Sequence, residues 1–486
     1  MKKNNVAVLA VTALLATSLA GCGGGTKESN SPSPSATDST SPSAAATDAA
    51  TASTAPTAAS GAPVTITVLS EGSTNIGSGN LADLFAPKEE ELKGKGISVE
   101  YTPGKSFAVD AFGYLFNKSM YNQLQAKNIS VNYEDWGWAD NLIQKETAAF
   151  LAQNVPDLIV GETQMPGFAQ QGLLEPFPDD LANEIRDKVV EASWKPMEYN
   201  GKIYGLAAQP GVSSLFWNKK LVKEAGIDPD KAPASWEELL DNIKKVTAAG
   251  KGKYYGGGVY AGANAGGYLR FGPLLVINGG GFATDGQPAF NTAQNVETVQ
   301  FLRDLNANFP PGVMVATSEG TFFDAWYKGQ LAYNIDGPWG AQQSRDKGID
   351  VGMAPIPLSP NGKAGNITIG AAFYSVPKDA KNKEAAFEYI KTMFSKEIQQ
   401  IVADSNNRSP VLKEVADSAD YKAQHPEMYN HYLAMSGNVQ GLPTFAKDNS
   451  KAWQTFGDAV VKSIMTKGDI QAILDDAQKK AESVTK

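Results

Sequence analysis

A chain of 486 residues is longer than a single hydrophobic core usually serves, so at least two domains are expected. With 42% hydrophobic residues, 17 Tyr, 20 Phe and 8 Trp it has ample material for packed interiors, which excludes global disorder. A formal net charge of -9 argues against a nucleic-acid partner, and one cysteine with two histidines leaves no intrachain disulfide and no Cys-rich zinc site. No metal and no cofactor are expected.

Lys2 and Lys3 precede an apolar run from Val6 to Leu19, which at 14 residues is too short to span the hydrocarbon layer of roughly 30 Å. Residues 1–22 read as a signal peptide. The segment closes on Leu19, Ala20, Gly21 and Cys22, which resembles a bacterial lipobox, where small residues admit the peptidase and the thiol takes a diacylglycerol. Cys22 is the single cysteine, so lipid attachment is expected there. Residues 23–63 are almost entirely Gly, Ser, Thr, Ala, Pro and Asp, with no aromatic side chain, and are expected to form a disordered tether. A coil of about 40 residues has an r.m.s. span of roughly 35 Å.

Val64, Ile66 and Val68 alternate with Thr65 and Thr67 as a strand requires, and Ile129, Val131 and Tyr133 repeat the pattern. The segment from 72 to 127 fits no simple period and is read as an elaboration of the first β-α connection. Leu142, Ile143, Ala149 and Phe150 mark a helix, and Leu158 to Val160 a buried strand, so a β-α-β unit is expected. Ser235 and Glu238 form a capping box ahead of Trp236, Leu239, Leu240, Ile243 and Val246. Further helical stripes are Ala385, Ala386, Tyr389, Ile390, Met393 and Phe394, then Ile470, Ile473, Leu474, Ala477 and Ala481. Strands mixed with helices in this way predict α/β architecture with mainly parallel sheets.

There is no Gly-x-Ser-x-Gly elbow, Walker loop, dinucleotide fingerprint, metalloprotease His pair or calcium loop. His425 and His431 stand alone in a polar helical stretch, and surface positions are expected for both. Glycoside hydrolysis stays open as an alternative, because it needs only two carboxylates at a set separation.

Five stretches then occur in a telling order: PDLIVGETQMPGFAQQGLLEPF from Pro156, YNGKIYGLAAQPGVSSLFWNKKLVKEAGI from Tyr199, FFDAWYKGQLAYNIDGPWG from Phe322, KNKEAAFEYIKTMFSKEIQQ from Lys381 and AWQTFGDAVVKSI from Ala452. Together they resemble the extracellular solute-binding proteins of ABC importers, family 1, which includes the maltose- and maltodextrin-binding proteins. The resemblance implies a two-lobed, type II periplasmic-binding-protein-like α/β fold with a hinge and a cleft between discontinuous lobes. The lobes are expected at 64–209 with 354–404 and at 210–353 with 405–486. Crossings are expected near Gln209 to Ser213, Met353 to Pro357 and Asp404 to Pro410.

The same resemblance implies a monomeric, lipid-anchored receptor on the outer face of the bacterial cytoplasmic membrane. It would capture a carbohydrate, an oligosaccharide on the count of four aromatic candidates, and deliver it to membrane permease subunits without being an enzyme. A peptide or polyamine receptor is the alternative within the binding class. Trp339, in the stiff turn Gly337-Pro338-Trp339, and Trp453, at the head of a helix, match the family's stacking positions. Glu162, Thr163 and Gln164 follow a strand where the family grips hydroxyls. Trp136 and Trp138 follow another, one expected to meet ligand and one to pack. Gln209, Ser213 and Ser214 lie at the first crossing, where the maltose binders' acidic residue is replaced by Gly211.

Overall fold

The strand Val64–Leu69 runs parallel to Ile129–Glu134, with Val64 opposite Ile129 and Leu69 opposite Glu134. This computed structural model describes residues 63–485 apart from 71, 138–139, 285, 363–364, 437–438, 444 and 446–448. Cys22, the signal segment, the tether up to residue 62 and Trp138 lie outside the described residues. Ile66 and Val68 are buried and Thr65 is exposed, as a strand with one apolar face requires. Parallel neighbours need a crossover. Here two helices make it, Leu81–Gly94 and Phe112–Gln125, in the segment whose period was unreadable. The second buries Phe112, Tyr114, Leu115, Phe116 and Met120 over most of its circumference, which erases the amphipathic period. The helix Asp140–Leu151 leads on to the strand Ile159–Gly161, completing the expected β-α-β unit.

A second sheet has the order Val351–Pro355, Ser214–Asn218, Leu331–Asp336, Tyr255–Gly257. Only its last pair is parallel; Ser214–Asn218 is antiparallel to both neighbours, so the sheet is mixed rather than mainly parallel. The reason is direction. Ser214–Asn218 carries the chain into this half of the molecule, whereas Val351–Pro355 carries it back. Ser214 therefore lies beside both Asp336 and Pro355, and the carboxyl ends of those strands meet where the chain enters.

Local signals set the helices. Ser235 accepts from the Glu238 N–H at 3.2 Å, and the Glu238 carboxylate accepts from the Ala234 N–H at 2.8 Å, so the capping box forms with its return bond one residue upstream. Tyr389, Ile390 and Met393 of the helix Lys383–Met393 are buried, as are Leu474, Ala477 and Ala481 of Ile470–Thr485. Among the described residues no helix is long and apolar enough to cross a membrane.

The buried side chains form two hydrophobic cores. One collects residues from Ile66 to Val212, from Ala371 to Val402 and then Val411, Ala416, Tyr432, Met435 and Val439; the other collects Leu215 to Ile369, Ala403, Leu412, Val415, Tyr421, Met428 and the buried residues from Phe445 on. The chain changes core between Val212 and Leu215 and at Gly370, and between Val402 and Phe445 its buried residues alternate between the two, a stretch that includes the expected third crossing. Met353 and Ile356, where the second crossing was expected, pack in the Leu215–Ile369 core. The displacement follows from pairing: Met353 is bound into the second sheet opposite Phe216, while Thr368 and Ile369 pair with Val212 and Gly211. Asn366–Ile369 also pairs with Val439–Gln440, so three connecting segments are hydrogen-bonded side by side between the cores.

Candidate functional site

A cavity of about 290 Å³ lies where the two cores face each other. One side supplies Leu142, Glu162, Thr163 and Gln164; the other supplies Leu269, Arg270, Glu319 and Trp339, with Ile369 and Gly370 of the crossing between them. A larger groove of about 910 Å³, lined by Trp236, Phe301 and Ile470 among several charged residues, takes its core side chains from one half alone. Position in the fold explains the smaller cavity. Glu162 to Gln164 leave the end of the strand Ile159–Gly161, and Trp339 follows the end of Leu331–Asp336, as ligand sites in open α/β sheets do.

Its polar groups are tightly bound to one another. Glu162 Oε1 accepts from the Gly370 N–H at 2.6 Å, and the Glu162 N–H donates to Gln164 Oε1 at 3.2 Å. Gln164 Nε2 donates to Glu146 Oε2 at 2.8 Å. Burial pushes the Glu162 carboxyl up to about 7 against the opposing pull of the Gly370 and Ala371 N–H groups and Arg270, and burial pushes Glu146 up to about 7 as well. Arg270 donates to Asp336 Oδ1 at 3.1 Å and to Glu319 Oε2 at 2.9 Å, and its guanidinium stands 4.7 Å from the Phe323 ring centre. Asp336 is 1% exposed. Burial raises its pKa while the Arg270 charge opposes the rise. Sequence reading missed Arg270, Glu319 and Asp336, because only folding brings residues so far apart in the chain together.

Trp339 is held by absence of side chains. A Cβ on Gly337 would come within 2.2 Å of its ring, and one on Gly370 within 2.6 Å. Gly370 has φ +60°, a left-handed conformation that favours glycine. Arg408 places its guanidinium 4.9 Å from the ring centre. The ring is thus wedged in place while the cavity reaches it. Gly211 has no room for the acidic residue of the maltose binders, because a Cβ there would stand 2.9 Å from Pro338 Cδ and 3.0 Å from the Ile369 oxygen.

The remaining candidates among the described residues do not line this cavity. Trp453 is 8% exposed and stacks on Tyr268 at 4.9 Å, with Phe282 edge-on at 4.7 Å, so the aromatic cluster occupies the surface a ligand would use. Trp136 donates from its indole to Glu134 Oε2 at 2.8 Å and packs on the Ile66–Val212 core, away from the cavity wall. Gln209, Ser213 and Ser214 are buried within the first crossing; Ser213 Oγ donates to the Leu269 carbonyl at 3.3 Å. Both histidines are buried, at 4% exposure for His425 and 1% for His431, which corrects the expectation of surface positions. His431 Nε2 lies 3.1 Å from the Val212 nitrogen and 3.2 Å from the Val212 oxygen. Its Nδ1 lies 2.9 Å from Ser409 Oγ, which donates to the Met428 carbonyl at 2.7 Å. A polar-looking stretch hid a side-chain network that ties a helix to the first crossing.

The sequence profile of the bacterial extracellular solute-binding proteins matches residues 102–400. A binding protein of Brucella abortus (strain 2308) is 25% identical over 367 residues, 74% of this chain and 86% of that protein. The maltooligosaccharide ABC transporter solute-binding lipoprotein of Streptococcus pneumoniae (strain ATCC BAA-255 / R6) is 27% identical over 290 residues, 57% of this chain and 64% of that protein. In structure, the chain is similar to the cyclic alpha-maltosyl-1,6-maltose binding protein from Arthrobacter globiformis, with a TM-score of 0.65 and 19% identity over 87% of this chain and 99% of that one.

Proposed function

Because this chain belongs to the bacterial extracellular solute-binding proteins, we propose that it is a monomeric receptor that captures a carbohydrate in the cavity between its cores and delivers it to the permease of an ABC importer. The observation that carries this reading is the cavity itself, which sets one wedged indole among carboxylate, amide and guanidinium groups drawn from both cores. An aromatic face suits the C–H face of a sugar ring, and the polar groups suit its hydroxyls. Solute that touches both sides favours the closed arrangement by its differential affinity. Of the three aromatic candidates among the described residues, Trp339, Trp136 and Trp453, only Trp339 lines this cavity, so the preference for an oligosaccharide rests on the ligands named for the relatives. Cys22 anchors the receptor by lipid on the outer face of the membrane.

The second reading, a surface glycoside hydrolase, draws on Glu162, whose carboxyl is raised to about 7 as a general acid requires. Against it, Glu162 is bound to the backbone of the crossing, and Glu319 is engaged by Arg270. Purified protein incubated with labelled maltotriose separates the two. Saturable binding with intact sugar is expected, with micromolar affinity corresponding to about -8 kcal/mol; fragments would establish the hydrolase, and neither binding nor fragments across a panel of oligosaccharides would refute both. Replacing Cys22 by Ser is expected to release the protein from membranes in detergent-free fractionation, and full retention would refute the anchor.

A further inference from the structure

We propose that a second binding site, separate from the cleft, takes a small organic cation with N–H donors, a primary ammonium compound, between residues 101–104 and the segment after the helix Lys396–Asp404. A cavity of about 690 Å³ opens there. One wall is Tyr101, Pro103 and Gly104, from the long two-helix crossover, for which the cleft has no use.

Two polar side chains on the inner wall are almost fully buried. Asp404 is 1% exposed and accepts from Tyr101 Oη at 2.7 Å, the Gly104 N–H at 2.8 Å and Gln400 Nε2 at 3.0 Å. All three donors are neutral, so these bonds hold the carboxylate without cancelling its charge. His425 is 4% exposed, and its Nδ1 lies 3.1 Å from Asn406 Oδ1. An amide oxygen only accepts, so Nδ1 holds the proton and Nε2 is an acceptor. Nε2 is buried and has no partner among the described residues. Buried polar atoms normally find a partner, and His425 is one of the residues that line this cavity.

The rim sets the chemistry of what would bind. Glu397, Glu414 and Asp420 stand there with Lys396 as the single base, and Lys396 is bonded to Glu414. The cavity therefore carries a negative field that repels anions and attracts cations. A neutral polyol could donate to His425 and to the carboxylates but would gain nothing from the net negative field. Among the described residues no group of three side chains could hold a metal ion, which favours an organic cation. Tyr101 and Tyr421 offer ring surface to an ammonium group.

The chain has two histidines, which makes the test selective. Full-length protein labelled with ¹⁵N-histidine is titrated with 1,4-diaminobutane and, in parallel, with 1,4-butanediol, using His425→Gln to assign the imidazole signals. The diamine is expected to shift His425 Nε2 saturably, with a dissociation constant of about 1 mM or below, and to leave His431 unmoved. The diol is expected to bind at least about tenfold more weakly. Glu414→Gln and Asp420→Asn, both at exposed positions, should each weaken the diamine about two- to fivefold, and added salt should weaken it further. Saturating maltotriose should not displace it. No His425 response by about 50 mM diamine, an equal response to the diol, unchanged affinity in the rim variants, or displacement by maltotriose would each overturn the second site. Failure of maltotriose to bind concerns the cleft alone and leaves the diamine result standing.

Discussion

Gly370→Ala tests the cleft by adding one methyl group and removing nothing. Gly370 has φ +60°, where a Cβ costs about 1–2 kcal/mol. The same Cβ would stand 2.6 Å from Cη2 and Cζ3 of Trp339, against 3.4–4 Å for ordinary contact, so the indole must retreat by roughly 1 Å. It cannot retreat toward Gly337, whose own Cβ position is already 2.2 Å from the ring, and Arg408 stands 4.9 Å from the ring centre. A stacking platform shifted by about 1 Å loses much of its dispersion contact, and the dissociation constant for maltotriose should rise on the order of ten- to a hundredfold. Trp339→Ala removes the platform and should cost about 2–4 kcal/mol, or roughly 30- to 1000-fold. Calorimetry and thermal unfolding on the parent, the two single variants and the double variant close the cycle. With the ring gone, Gly370→Ala should change affinity no further and lower Tm only through its backbone strain. If Gly370→Ala lowers Tm but leaves affinity unchanged, or if the two affinity losses simply add, Trp339 is not the platform and the cleft assignment fails.

Trp453→Ala should lower stability by about 3–5 kcal/mol in urea unfolding, because it empties an aromatic cluster, while the folded fraction keeps its affinity; lost affinity without lost stability would return Trp453 to the site. Asp336→Asn leaves the buried Arg270 without its innermost charge partner and should cost about 3–5 kcal/mol, whereas Glu319→Gln, at the exposed end, should cost below about 1 kcal/mol. Equal effects of the two would contradict this ranking. Burial holds His431 at about 4 against 6.5 unfolded, so the unfolded chain binds the extra proton between these values. The His431 contribution is present above pH 6.5 and is lost as pH falls toward 4, on the order of 2–4 kcal/mol. Glu162, raised from 4.5 to about 7, has the opposite sign, and its contribution is lost as pH rises through 7. Unfolding midpoints of the parent and of His431→Gln across pH 4 to 8 should converge on the acid side; parallel curves would refute the assignment.

Local signals in the sequence are sufficient where neighbours in the chain decide the outcome. The alternation of Val64 to Val68, the Ser235 and Glu238 cap and the stripe from Ala385 to Met393 each describe a contact made within a few residues, and each reappears in the fold. That Glu162 to Gln164 and Trp339 line a cavity was legible for a related reason, since they follow strand ends, where clefts in α/β sheets open. The helix Phe112–Gln125 escaped notice because burial on nearly all sides removes the polar face that periodicity needs. Trp453 shows the opposite failure: helical spacing reveals a large side chain but not whether Tyr268 and Phe282 will cover it.

Composition and motif order alone determined the family, two hydrophobic cores and the strand ends at which a ligand would be met. Tertiary structure decided that Trp339 rather than Trp136 or Trp453 lines the cavity, where the chain changes core and that Arg270 is shared between Asp336 and Glu319. These outcomes depend on side chains far apart in sequence competing for one volume and one set of hydrogen-bond partners. Gly370 is the clearest case: its φ of +60° and the Trp339 ring beside it exist only once both cores have formed around the crossing.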